Sequence, residues 1–151
     1  MDWHDRAFAE LGLAELYAIV ALRERVFVVE QRCVYLDADG VDPAARHVFA
    51  TRGGAIVAYL RVVPAGARYA EVSIGRVLTA PEARGEGLGR TLMLRGLQAV
   101  RDFHGEVAIR LGAQAHLTRF YASLGFVQLG EPFDEDGIPH VYMLRAPASH
   151  G

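Results

Sequence analysis

Apolar residues at Leu13, Leu16, Tyr17, Val20 and Phe27 recur near helical spacing, and Glu15, Arg23 and Glu24 supply a polar side. The pattern predicts a helix over about 13–29. Residues 3–11 carry a weaker pattern, read as an opening strand. The stretch "QRCVYLDADGVDPAA" that follows the helix holds turn residues and little periodicity, so a long loop or a short irregular helix is expected there. "HVFATR" and "AIVAYLRVV" flank Gly53 and Gly54, the signature of two antiparallel strands joined by a tight turn with positive φ. A third strand, "AEVSIGRVLTA", places Gly75 at its middle, where a bulge is expected.

Beyond Pro81, Leu92, Met93, Gly96, Leu97, Val100 and Phe103 form the apolar stripe of a second helix. "EVAIRLGAQ" reads as a strand, "HLTRFYASL" as a helix, and "GFVQLG" and "HVYMLRA" as closing strands. No linker or repeat divides the chain, so residues 1–151 are expected to form a single domain with a mixed α+β layer arrangement.

Composition narrows the chemistry. A length of 151 residues with 52% hydrophobic content suffices for one buried core, and a formal charge of -2 offers no basic face for nucleic acid. Cys33 is the only thiol, read as a small buried hydrophobe, so no internal disulfide and no cysteine-based zinc site is expected. The start lacks a signal-peptide pattern and no apolar run is long enough to span a bilayer, which points to a cytoplasmic protein away from membranes. All 16 basic residues are arginine. The absence of lysine excludes a phosphate-loop lysine and a Schiff base to pyridoxal phosphate. Nothing sets the oligomeric state, and a homodimer is compatible with the pattern.

The hexapeptide "RGEGLG", residues 84–89, opens the second helix. Backbone N–H groups at a helix start converge on one spot and the macrodipole adds partial positive charge, so the loop favours an anion over a plain cap. A G-x-G-x-x-G reading begun at Gly85 meets Arg90 where a third glycine is required. The pattern R/Q-x-x-G-x-G/A does fit, with Arg84, Gly87 and Gly89 at its fixed positions. Alone it is unspecific; its placement after a strand and a Pro-containing turn, directly at a helix start, is what discriminates. Downstream, "FYASLGF" sets Tyr121 before Gly125 and Phe126 in the spacing Y-x-x-x-G-F.

The two motifs and the order of elements resemble the GCN5-related N-acetyltransferases, the GNATs. "LRERVFVVEQRCVYLDADGVD", "IGRV", "LGAQAHLTRFYASLGF" and "EDGIPHVYM" are similar to the ElaA-type subgroup of that family, and the resemblance covers nearly all of the chain. It implies the GNAT acyl-CoA N-acyltransferase fold, an α/β/α-layered α+β domain whose mixed, mostly antiparallel sheet has splayed central strands. It also implies an enzyme that moves acetyl from acetyl-CoA directly to an amine of a small molecule, protein or peptide; the histidines and the single cysteine show no paired ligand spacing, so no metal is expected. The pyrophosphate would rest on Arg84, Gly85, Glu86, Gly87, Leu88 and Gly89, and the pantetheine arm would lie along Val77, Leu78 and Thr79 like an added strand. Gln114 stands where many members carry asparagine, and an amide contact to the cofactor would come from there.

By the same resemblance Tyr121 is the expected general acid for the leaving thiolate; its bland reading is a core tyrosine on an apolar helix face. An amine must lose its proton to react, and Glu71, Glu30, His47, His116 and His140 are the candidate bases, Glu71 and His140 foremost. "DADGVD" reads as a turn, because Val48 stands where a calcium loop needs glutamate. Two other readings use the same residues: a non-catalytic acyl-CoA-binding sensor, and an acyl-homoserine-lactone synthase-like acyltransferase, since "LRERVF" also resembles the start of those synthases. The latter bind acyl-carrier protein, and the sequence offers no basic patch for such an acidic partner.

Overall fold

The structure, a computed structural model, describes residues 1–147. Seven strands form one sheet: β1 (Asp2–Ala7), β2 (Arg46–Arg52), β3 (Ala55–Val63), β4 (Val72–Thr79), β5 (Ile109–Gln114), β6 (Val127–Glu135) and β7 (Ile138–Arg145). Their spatial order is β1-β2-β3-β4-β5-β7-β6. Three helices, α1 (Leu13–Arg23), α2 (Leu88–His104) and α3 (Thr118–Ala122), complete the fold. Every neighbouring strand pair is antiparallel except β4 with β5.

Alternation along the strands sorts side chains to two faces. Phe49, Tyr59 and Leu78 join Ile19, Leu22 and Val26 in one buried cluster under α1. Their neighbours Val48, Leu60 and Ile74 join Leu92, Met93, Leu97 and Val100 of α2 in the other. Full burial of each such aliphatic contributes roughly 1.5–3 kcal/mol, so the two apolar layers, rather than exposed ion pairs, fix both helices on the sheet. Helix α2 comes close because Gly96 faces Leu60: a Cβ there would lie 2.8 Å from Leu60 Cδ2. The α/β/α layering is the expected one. Among the described residues no helix is long and apolar enough to cross a membrane.

Several boundaries differ from the sequence expectation. The first helix keeps regular pitch only to Arg23 and continues as a wide π turn over Glu24–Glu30, in which Gln31 N–H donates to the Val26 carbonyl at 3.0 Å. The loop after it holds one 3-10 turn, Asp42–Ala44. The hairpin at Gly53 and Gly54 forms as expected, both glycines having positive φ. Helix α3 is a single turn preceded by a 3-10 turn, Ala115–Leu117. Strand β6 runs well past Gly130 to Glu135, because pairing with β7 resumes at Phe133 after a bulge that absorbs Gly130 and Pro132.

The largest departure concerns β4. Against β3, Leu78 pairs with Tyr59 and Gly75 with Arg61, so Arg76 and Val77 together oppose Leu60. The bulged residue with left-handed backbone is Arg76, at φ 52, and not Gly75. Against β5, β4 pairs only at Val72 with Ile109 and Ser73 with Arg110. Beyond those two pairs the strands part, and the sheet opens at its centre.

Candidate active site

The opening between β4 and β5 is a cavity of about 390 Å³. Ser73 to Val77 line one wall and Leu111 to Gln114 the other, with Tyr121, His140 and Tyr142 also on its surface. Gly75 serves the space itself, since a Cβ added there would meet nothing within 4 Å. On the β5 side the backbone of β4 has no strand partner after Ser73, so Val77, Leu78 and Thr79 can receive an extended ligand as a strand would. Only Val77 of the three also lines the cavity; Leu78 is buried under α1.

The glycine loop follows β4 and leads into α2, outside the cavity lining. After a 3-10 turn, Pro81–Ala83, the chain enters α2 through Gly85 at φ 83 and Gly87 at φ 75, values that disfavour any side chain. The N-cap of α2, Gly87, makes no side-chain cap, which leaves the first helical N–H groups without that satisfaction. A Cβ at Gly85 or Gly87 would meet no protein atom within 4 Å and would stand in open space. Exposed ion pairs hold the loop at both ends: Arg84 with Glu30 at 2.7 Å and Arg52 with Glu86 at 2.7 Å. Leu88 turns into the core and Gly89 lies against Phe120. Backbone N–H groups at a helix head beside the Arg84 guanidinium are a geometry suited to an anion.

Tyr121 is 6% exposed and reaches the cavity from α3. Burial pushes its phenol up to about 12, so at neutral pH it carries a proton. Edge-on contacts with Phe120 and Phe126 orient the ring, and the phenol makes no hydrogen bond among the described residues. His140 lines the same cavity from β7. Its Nδ1 lies 2.7 Å from the Ile138 carbonyl, which can only accept, so Nδ1–H donates and Nε2 is the nitrogen able to take a proton. The Glu135 carboxylate, 3.6 Å from Nε2, faces any positive charge formed there. Gln114 ends β5 on the cavity surface and donates from Nε2 to the Gln31 side chain at 3.2 Å.

Glu71 sits in the bend just before β4, outside the cavity lining, 3.7 Å from Arg110. Among the other candidate bases, Glu30 is tied to Arg84, and His116 is not on the cavity surface. His47 is fully buried elsewhere, between the Tyr59 hydroxyl at 2.7 Å and the Asp42 carbonyl at 3.0 Å. The carbonyl fixes the proton on Nε2, and Nδ1 accepts from Tyr59. Burial above all holds this imidazole below its ordinary range, only partly offset by Asp42.

Sequence reasoning missed the far end of the site. The segment "DADGVD" is no solvated turn: Asp37 and Asp42 are buried and, with Asp39, they receive arginines from three elements. Arg23 of α1 meets Asp37 at 3.0 Å and Asp42 at 2.8 Å. Arg61 of β3 meets Asp39 at 2.7 Å and Asp42 at 2.9 Å. Arg76, from the β4 bulge, meets Asp37 at 3.1 Å. Burial alone would raise the Asp39 and Asp42 carboxyls; the hydrogen bonds and charges of Arg61 and Arg23 outweigh it and hold both below the usual carboxylate range. One signal was available. Arg61 and Arg76 interrupt apolar runs, "AYLRVV" and "IGRVL", and a charge folded into such a run requires a partner. Among the described residues no cluster of histidine, cysteine and carboxylate side chains is suited to hold a metal ion.

Comparison with known proteins matches this geometry to a family. A model of the acetyltransferase (GNAT) domain matches residues 21–146. Protein ElaA of Escherichia coli is 41% identical over 147 residues, covering 96% of each chain. Its crystal structure superposes with a TM-score of 0.90 over 95% of this chain and 98% of that one, at 40% identity. The crystal structure of an acyl-CoA N-acyltransferase from Pseudomonas aeruginosa, 44% identical, gives a TM-score of 0.92 over 97% of this chain and all of the other. With its sheet parted between β4 and β5 and its glycine loop at the head of α2, this chain belongs to the GNAT acetyltransferase family, with ElaA among its relatives.

Proposed function

We propose that the protein is a cytoplasmic N-acetyltransferase that moves acetyl from acetyl-CoA directly to an amine. The observation that carries this reading is the parting of β4 from β5 after Ser73, which opens a cavity lined by an unpaired strand edge and a protonated tyrosine, with the glycine loop at the head of the helix that follows β4. The Pseudomonas aeruginosa relative, an acyl-CoA N-acyltransferase at 44% identity, supports the donor class. Acetyl-CoA, when bound, supplies the acyl group as an activated thioester. The N–H groups of residues 84–89 would hold its pyrophosphate, and the free edge at Val77 to Thr79 its pantetheine arm, with Gln114 facing that arm from β5.

His140 Nε2 takes the proton that the amine must lose, and Glu135 stabilises the imidazolium. N–H groups exposed where β4 bulges polarise the reacting carbonyl. Tyr121 gives its proton to the departing thiolate, a role suited to a phenol kept neutral by burial. Glu71 is outside the cavity lining and is given no direct contact with the acceptor in this scheme. The test is thiol release: acetyl-CoA incubated with the protein and pools of amines should liberate free CoA well above the protein-free rate. Tight CoA binding with no release from any pool would mark a binding module instead.

A further inference from the structure

The acceptor end of the cavity has an unbalanced charge. Arg23, Arg61, Arg68 and Arg76 contact only three carboxylates, Asp37, Asp39 and Asp42, within one connected network, which leaves one positive charge over. The surplus falls at the cavity. Arg23 and Arg61 are 1% exposed and bound at 3.0 Å or less, whereas Arg76 is 13% exposed and Arg68 37%. Arg68 reaches Asp39 only at 3.7 Å, and Arg76 reaches it at 3.4 Å. Arg76 uses Nε and Nη2 on Asp37 and Asp39, and its Nη1 makes no hydrogen bond among the described residues.

Two further observations single out Arg76. It holds a left-handed backbone, φ 52, that few non-glycine residues adopt, at a bulge of the kind that re-aims a side chain beside a functional site. In addition, burial and then the charge of Arg61 hold its guanidinium below the ordinary arginine range, while Arg23 and Arg61 are raised by their partners. An anion in the cavity would supply what its present partners do not. On another part of the lining, Glu135 at the end of β6 and Asp136 in the turn to β7 lie near His140 and suit the ammonium form of an arriving amine.

We infer that the acceptor is an amine that also carries a carboxylate, an amino-acid-like zwitterion whose acid group is held by Arg68 and Arg76. A single surplus positive charge matches a monoanion, and the free Nη1 of Arg76 together with the exposed Arg68 guanidinium offers charged donors to a planar carboxylate. The inference rests on the acetyltransferase reading and narrows it, since it disfavours polyamines and aminoglycosides, which bear only positive charge.

The experiment compares α- and ω-amino acids with their own carboxamides. Thiol release with acetyl-CoA gives kcat/KM for each pair, and calorimetry on the CoA-saturated protein gives affinity without turnover. Acids should exceed their amides by roughly 10- to 100-fold for at least one pair, as expected for a hydrogen bond to a charged group. Arg68→Gln, which removes a 3.7 Å contact with Asp39 and a half-exposed stacking over Tyr69, should erase most of that ratio through KM with little change in melting temperature, and Arg76→Gln should erase more. Amides equal to or better than acids in both assays, or no discriminating binder in either, overturn the inference while the acetyltransferase reading stands if amides turn over. Discrimination in binding with no thiol release supports the inference and sinks the acetyltransferase reading.

Discussion

At the scale of single residues, the question is whether Tyr121 is a proton donor or packing. Its ring packs against Phe120 and Phe126, the residue lines the cavity, and its hydroxyl has no hydrogen-bond partner among the described residues. Tyr121→Phe keeps the ring and deletes the proton. The expected result is a native melting temperature, unchanged CoA affinity and a rate lower by roughly 10²- to 10⁴-fold. Parent-rate turnover in a folded Phe variant would leave Tyr121 as a core residue, with water protonating the thiolate. This tyrosine was legible because its motif is local: Tyr121, Gly125 and Phe126 lie within one turn, where the Phe126 N–H donates to the Tyr121 carbonyl at 3.2 Å. Arg76 was not, because its meaning depends on Asp37 and Asp39, 39 and 37 residues away, and on a register shift opposite Leu60.

At the scale of elements, the head of α2 shows why a glycine loop can be read from sequence. Its chemistry lies in backbone N–H groups and in φ values that glycine alone adopts cheaply, both of which are local properties. The adjoining β4 was legible as a strand from its own residues, but its parting from β5 was legible only through the family resemblance, since it follows from pairing that stops after Ser73. Gly87→Val separates the loop's two roles. No protein atom lies within 4 Å of the added Cβ, so the folded chain bears only the cost of a left-handed valine, about 1–3 kcal/mol. The ligand meets the side chain itself. Calorimetry should therefore show CoA affinity reduced by roughly 10- to 100-fold in a protein that still melts cooperatively. Equal affinity in the folded variant would remove the pyrophosphate from residues 84–89.

At the scale of the whole molecule, the layer under α1 differs from the layer under α2 in being partly polar. Beyond its apolar cluster it encloses His47, Arg23, Arg61 and Asp42, which tie α1, β2, β3 and the 31–45 loop together. That composition makes stability depend on pH in a definite direction. His47 is held neutral in the folded state, below its ordinary value, by burial first and also by the nearby charges of Arg23 and Arg61, against the opposing pull of Asp42. In the unfolded chain it titrates near ~6.5. Above that value both states are neutral and stability is full; as pH falls through it, the unfolded chain takes the proton first, so stability declines. Asp39 and Asp42, whose folded values are also depressed, add a second decline below about pH 4, where the unfolded carboxyls protonate. Urea midpoints should therefore fall between roughly pH 7 and pH 5, before any carboxylate of the network titrates. His47→Gln can still donate to the Asp42 carbonyl and accept from Tyr59, but it has no proton to gain. In that variant the first decline should vanish and the second remain. If its midpoint dropped across the upper range as steeply as the parent's, the acid sensitivity would lie outside this buried layer.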